Sequence, residues 1–194
     1  MQLSDCGHRF AAGTRLRIAV STAYWPVVWP SPERTTVTIV AGSSSLLLPV
    51  RPKRPEDAAL APFAEPEAAP RLRKTQIKPG WEQRTITEDR VTGETVWELS
   101  DSDGTYCIDD IDLTVSIRRR RRVSIHPDDP GSARAELEWH RAYSRGTWRV
   151  SAESSIVMTG SRQALHLRAR MDAAEGDSKI FSREWDEKIP RDLV

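Results

Sequence analysis

Cysteine is scarce in this sequence. Cys6 and Cys107 are the only two. No CxxC pair occurs, and two thiols cannot build a four-thiolate metal site. They read as two buried free thiols in a reducing compartment, since half-buried cysteine behaves as a small hydrophobe. A single Cys6–Cys107 disulfide is the alternative. Long apolar runs are missing as well. No stretch approaches the roughly 20 apolar residues that span a bilayer, and residues 1–10 lack the apolar core of a signal peptide. A cytoplasmic chain is therefore expected. An excess of one charge is also absent: Lys plus Arg number 29 against 28 Asp plus Glu, a formal net charge of +1. That balance removes any general electrostatic case for nucleic acid, a membrane surface or an acidic substrate. No glycine-rich phosphate loop occurs.

Tryptophan and proline are plentiful, with 7 and 13 copies. Large aromatics left in water are costly, so several tryptophans must fill a core or an interface. Three zones follow from the patterning. In residues 1–50, Leu16, Ile18 and Val20 alternate with Arg15, Arg17 and Ala19, the period of a half-buried strand. Val37 and Ile39 alternate in a second strand over 35–40, Gly42–Ser45 is a turn, and Ser45–Val50 is a third strand. Between the first two, Pro26, Pro30 and Pro32 forbid a helix or a central strand. That segment reads as an extended loop displaying Tyr24, Trp25 and Trp29. Residues 51–80 carry six prolines among many Ala and Glu and lose periodicity, as an extended linker does.

Residues 81–194 read as long antiparallel strands. Asp101-Ser102-Asp103-Gly104 has the composition of a hairpin turn. A long strand covers Ile111–Ile125 and is broken by His126–Gly131. Ala133, Ala135, Leu137, Trp139 and Tyr143 share one face, with Arg134, Glu136, Glu138 and His140 on the other. Further inward rows run through Trp148–Met158 and Leu165–Met171, with turns at Arg145-Gly146 and Glu175-Gly176. No segment carries a helical period. The expected fold is all-β: an antiparallel β-sandwich, with a partial jelly-roll segment at 1–50, a linker at 51–80 and an antiparallel meander at 81–194.

Catalytic groupings are not found. Gly42-Ser43-Ser44, Gly131-Ser132 and Gly160-Ser161 lack the second glycine of a nucleophile elbow and read as turn serines. His8, His126, His140 and His166 read as structural. His126 with Asp128 and Asp129 forms a bend, and Asp101, Asp103 and Asp109 lack the twelve-residue calcium pattern. No catalytic residue, metal ligand or cofactor is assigned. Arg118–Arg122 has two readings, an anion-binding patch or a solvated strand. Nearby acids at 109, 110, 112, 128 and 129 favour the second. Arg119 and Arg121 fall on the apolar side and need carboxylate partners, for which Glu136 or Glu138 would serve if a bulge corrected their face. The Tyr24, Trp25, Trp29 loop is the candidate binding element, at a domain interface or for a ligand.

The stretch Gly13-Thr14-Arg15-Leu16-Arg17-Ile18-Ala19-Val20-Ser21, continuing through Tyr24-Trp25-Pro26 to Trp29-Pro30-Ser31-Pro32-Glu33, resembles a segment of a known family. It is similar to the C-terminal, non-catalytic region of the cocaine-esterase/X-Pro dipeptidyl-peptidase (CocE/NonD) serine hydrolases. Leu48-Pro49-Val50-Arg51-Pro52, Ile125–Pro130 and Phe181–Asp186 resemble a subgroup with an extra C-terminal β domain. The resemblance implies a galactose-binding-like jelly roll at 1–50 and a parent hydrolase of esters or amides. It implies an α/β-hydrolase catalytic domain as partner, which this β region packs on and whose cleft it helps shape. The triad does not carry over, because its motifs belong to that other domain. A jelly roll needs about eight strands, and residues 1–50 offer three, so these must pack on the sheet of residues 81–194 or pair with another chain, as in a homo-oligomer. The competing reading is a freestanding β-sandwich that binds carbohydrate or another small ligand.

Overall fold

The computed structural model describes Ser4 and residues 7–191. Cys6 lies outside the described residues, and Cys107 is a free, half-buried thiol. The described residues form eight strands: β1 Lys74–Lys78, β2 Trp81–Glu88, β3 Thr95–Ile108, β4 Leu113–His126, β5 Asp129–Arg145, β6 Trp148–Gly160, β7 Ala164–Glu175 and β8 Ser178–Pro190. From β3 onward each strand pairs with the next in antiparallel fashion, and β1 and β2 both pair with β3. The all-β antiparallel architecture is the expected one. Helix among the described residues is limited to short 3-10 turns, at Ala41–Ser43, Pro55–Ala59 and Asp109–Ile111.

Tight turns make the meander. Gly146 (φ 56°) and Gly176 (φ 57°) occupy the left-handed region that two-residue hairpin loops require. The His126–Asp129 reversal is closed by Ser132, whose hydroxyl accepts from the His126 amide at 2.8 Å.

Asp101–Gly104 is a correction. The segment does not reverse the chain; it lies inside β3, where the register shifts between Ser102 and Gly104. Gly104 takes φ 78° to form this bulge, and a Cβ there would stand 2.1 Å from the Lys78 carbonyl oxygen. The bulge sits where β1 gives way to β2. Pro79 cannot donate to a ladder, so the edge strand breaks there and resumes in register with the other half of β3. Lys74–Lys78 is itself a strand inside the proline-rich stretch.

Residues 14–22, 35–40 and 45–50 are a second difference. They form no regular secondary structure and pair with no neighbouring strand. Val20 and Thr22 face Thr35, Val37 and Ile39 across a shallow groove. Alternation sets which side chains share a face, but a strand also needs a neighbour to take its N–H and C=O groups.

The register divides the sheet into two faces. One carries Leu137, Trp139, Ile156, Met158, Leu167, Ala169, Phe181 and Trp185. The other carries Glu98, Arg120, Arg122, Glu136, Glu138, Arg168, Arg170, Glu184 and Asp186. The described strands form a single layer, and the second layer that would cover the apolar face is not among the described residues. Among the described residues, the buried apolar core is limited to Leu99, Val115, Ala133 and Ala164. The chain exposes 16,300 Å², against about 9,300 Å² for a self-contained monomer of this mass.

Candidate functional site

The Tyr24–Pro32 loop seats on one end of the sheet. A turn holds its first residues: the Val27 and Val28 amides both donate to the Tyr24 carbonyl at 2.9 Å. The Trp25–Pro26 bond is cis. Trp25 and Trp29 stack edge to face, with centroids 4.9 Å apart. Trp29 lies half-buried against Gly160, where β6 ends, and a Cβ at Gly160 would stand 2.8 Å from its indole nitrogen. That nitrogen is buried and has no hydrogen-bond partner. Pro30 is buried, and its carbonyl accepts from Arg191 Nη2 at 2.6 Å. Arg191 Nη1 donates to the Ser161 carbonyl at 3.2 Å, so one guanidinium joins the loop to the β6–β7 turn. Arg34 pairs with Asp128 of the β4–β5 turn, and Glu33 lies 4.0 Å from Arg162. Tyr24, by contrast, is 67% exposed. The three aromatic residues therefore differ: Trp29 joins the loop to the sheet, Trp25 braces Trp29, and Tyr24 faces water. Gly160 and Arg191 carry no sequence signal that would mark them as the receiving surface.

The arginine run lies at the centre of the sheet. On the polar face, Arg122 and Arg120 stand directly opposite Glu136 and Glu138. Arg120 pairs with Glu98 at 2.9 Å and Glu138 at 3.2 Å; Arg122 reaches Glu136 at 3.1 Å. The expected partners of the odd arginines are corrected. Arg119 and Arg121 turn to β3 instead. Arg119 Nε donates to Asp101 at 2.6 Å and its Nη2 to Asp103 at 2.5 Å. Arg121 reaches Asp101 at 3.3 Å. No bulge in β5 is needed, because the carboxylates for the apolar side come from the other neighbouring strand. Asp101 and Asp103 are thus arginine partners.

These pairs shift the carboxylates. The Arg120 hydrogen bond holds Glu98 below its ordinary value, and Arg134, then Arg122, do the same for Glu136. Asp172 is lowered to about 2 by the Ser182 hydroxyl, Lys179 and Arg170. Rows of opposite charge thus cross the sheet, as in Arg120, Glu138, Arg170, Glu184. A groove of about 430 Å³ runs over them, lined by Trp81, Arg118, His140 and Glu153 among others. His140 Nε2 lies 3.7 Å from Glu153. The rows act as cross-strand pairing that fixes register.

The other candidates from sequence are accounted for locally. Ser161 closes its turn onto Ala164 at 3.1 Å, Ser132 donates to the Asp129 carbonyl at 2.6 Å, and Ser44 donates to the Val40 carbonyl at 2.8 Å. The Cys107 thiol is pushed up by burial and by the nearby Asp112 and Asp109, which disfavours a reactive thiolate. His8 stacks edge to face on Phe10 at 4.8 Å. His126 Nδ1 accepts from the Asp128 amide at 3.2 Å. Among the described residues, no group of three or more His, Cys, Asp or Glu side chains is placed to hold a metal. No helix among them is long and apolar enough to cross a membrane.

Comparison with protein families matches residues 1–60 to the X-Pro dipeptidyl-peptidase C-terminal non-catalytic domain. The match contains the Gly13–Glu33 stretch and the Tyr24, Trp25, Trp29 loop, and supports the resemblance read from the residues. No curated protein and no solved structure matches the chain.

Proposed function

We propose that this chain is a non-catalytic C-terminal part of a serine hydrolase of the X-Pro dipeptidyl-peptidase type. In this reading, residues 1–50 complete a jelly roll whose remaining strands lie on a catalytic polypeptide. The observation that carries it is the unpaired state of residues 14–22 and 35–40. Leu16, Ile18, Val20, Val37 and Ile39 are 47% to 60% exposed, in segments whose alternation marks them as strands, inside the region that matches a non-catalytic domain. Unpaired strand edges and an apolar row are stable only when something covers them. The Trp29–Gly160 contact and the Arg191 link would then fix the long sheet relative to that jelly roll. The sheet would stand beside the catalytic domain and contribute to its cleft.

The test has two arms. The chain alone is assayed against p-nitrophenyl acetate and Gly-Pro-p-nitroanilide, and no turnover above buffer is expected. Amide exchange is then read at Leu16, Ile18 and Val20, in the chain alone and fused behind the catalytic and jelly-roll strands of a hydrolase of the matched type. Fast exchange alone and strong protection in the fusion are expected. Turnover by the chain alone that disappears on His8→Ala or His140→Ala overturns the reading. So does strong protection of those amides without the hydrolase.

A further inference from the structure

The apolar face of the sheet is too large and too regular to stand in water. Trp139, Trp148, Ile156, Met171, Phe181 and Ile189 are each between 36% and 47% exposed, although all lie on the side that alternation assigns to a core. We propose that a second copy of this chain covers this face, the two sheets stacked about a two-fold axis that runs along the strands between β6 and β7. This does not rest on the hydrolase reading.

The register carries the assignment. Ile156 stands beside Ala169, Ser154 beside Met171, Ala152 beside Ala173 and Met158 beside Leu167. A two-fold axis between these strands lays β6 of one copy over β7 of the other at the same height. Ile156 then meets the partner's Ala169 and Ser154 the partner's Met171, so at these two central levels a large side chain falls on a small one, while Met158 meets the partner's Leu167 in apolar contact. The same axis places the flanking strands. Leu137 of β5 falls over the partner's Trp185, Trp139 over the partner's Arg183 and Arg141 over the partner's Phe181. Both arginines already rest on rings of their own chain: Arg141 lies 4.9 Å from the Trp139 centroid and Arg183 lies 5.0 Å from that of Trp185. Stacking keeps them on aromatic faces, where a cation is tolerated. Arg119 and Arg121 of β4 lie beyond the overlapped strands and pair with Asp101 and Asp103 within each copy. Glu187 is on the outermost strand and stays at the wet rim.

Area agrees. The four strands that overlap about this axis, β5 to β8, spaced about 4.8 Å and about 12 residues long, present roughly 800 Å² of flat face, which matches the about 800 Å² per partner in a stable interface. An aligned sandwich rotates the two sheets by roughly 30°, which keeps the centre in register and splays the corners.

Sedimentation equilibrium of the full chain is expected to give twice its 21.9 kDa mass. Ala152→Glu, at the centre of the apolar face, should return it to one copy, while Ser151→Glu, one residue along on the polar face, should leave the pair intact. Far-ultraviolet circular dichroism establishes that both variants keep the sheet. If Ala152→Glu unfolds, chemical capture decides. In a background with both native cysteines changed to serine, chains carrying Ser154→Cys are mixed with chains carrying Met171→Cys and a short bis-maleimide. A cross-linked pair formed better in the mixture than in either alone is expected. A monomeric wild type, a dimer untouched by Ala152→Glu, or no capture in the mixture overturns the proposal. A monomer that instead binds the hydrolase through this face also overturns it.

Discussion

Asp101→Asn tests how the sheet tolerates two guanidinium groups on its apolar side. Asp101 is 7% exposed and accepts from Arg119 Nε at 2.6 Å and Arg121 Nη2 at 3.3 Å. The amide keeps the shape, removes the charge and turns an NH₂ toward one cation. Arg119 retains Asp103. Arg121 is left with no carboxylate among the described residues, and its Nε is already buried without a partner. Losing one member of a fully buried pair costs about 3–5 kcal/mol. Here the Arg119 and Arg121 side chains are 26% and 44% exposed, so water replaces part of the loss. The expected destabilisation is about 2 kcal/mol, or a fall in Tm of roughly 4–8 °C for a chain of this size. Urea unfolding followed by circular dichroism, at one fixed protein concentration, measures it. Replacing all three groups, Asp101→Leu with Arg119→Met and Arg121→Met, should restore most of the stability, because no charge is then stranded. A loss below about 0.5 kcal/mol for Asp101→Asn would refute the reasoning and mean that water, not Asp101, holds these cations.

Three further outcomes are expected. Gly104→Ala should lower the urea midpoint by at least about 2 kcal/mol equivalent, since it combines a positive φ with a Cβ driven into the Lys78 carbonyl; an unchanged midpoint counts against the bulge. Gly160→Ala should lift Trp29 off the sheet while leaving the strand signal intact. A red-shifted tryptophan emission with unchanged far-ultraviolet dichroism is the readout, and no shift would show that the loop is seated otherwise. Acid should destabilise the sheet. Glu98, Glu136 and Asp172 sit below their ordinary values when folded. The stability they supply is therefore full above the unfolded carboxylate range and is lost as pH falls from about 5 toward 2. A flat stability profile across that window would mean that the charge rows contribute nothing.

Much of the sheet is legible in the residues. Ala135, Leu137 and Trp139 against Glu136, Glu138 and His140 assign the faces of β5 before any partner is known. Gly146 and Gly176 mark turns because a two-residue loop needs a positive φ. The arginine run was legible as a strand with carboxylate partners, but not which strand supplies them. Glu136 and Glu138 are near in pattern, yet Asp101 is the group that the register puts beside Arg119. Asp101–Gly104 misled for a related reason: a glycine with positive φ serves a bulge as well as a reversal, and the choice depends on what runs alongside. The loop aromatics were legible as a unit. Gly160 and Arg191 were not, because nothing local in either residue reports a contact with Trp29 or Pro30.

Local sequence by itself determined the strand period of the sheet, its two faces, the turns at Gly146 and Gly176 and the absence of a nucleophile elbow. These depend on φ preferences and on alternation, which each short segment carries alone. Tertiary structure decided which carboxylates pair with which arginine, where β3 bulges, and that Leu16–Val20 forms no strand because no neighbour pairs with it. Pairing and coverage are relations between segments distant in the chain. The free energy that selects them appears only when those segments meet.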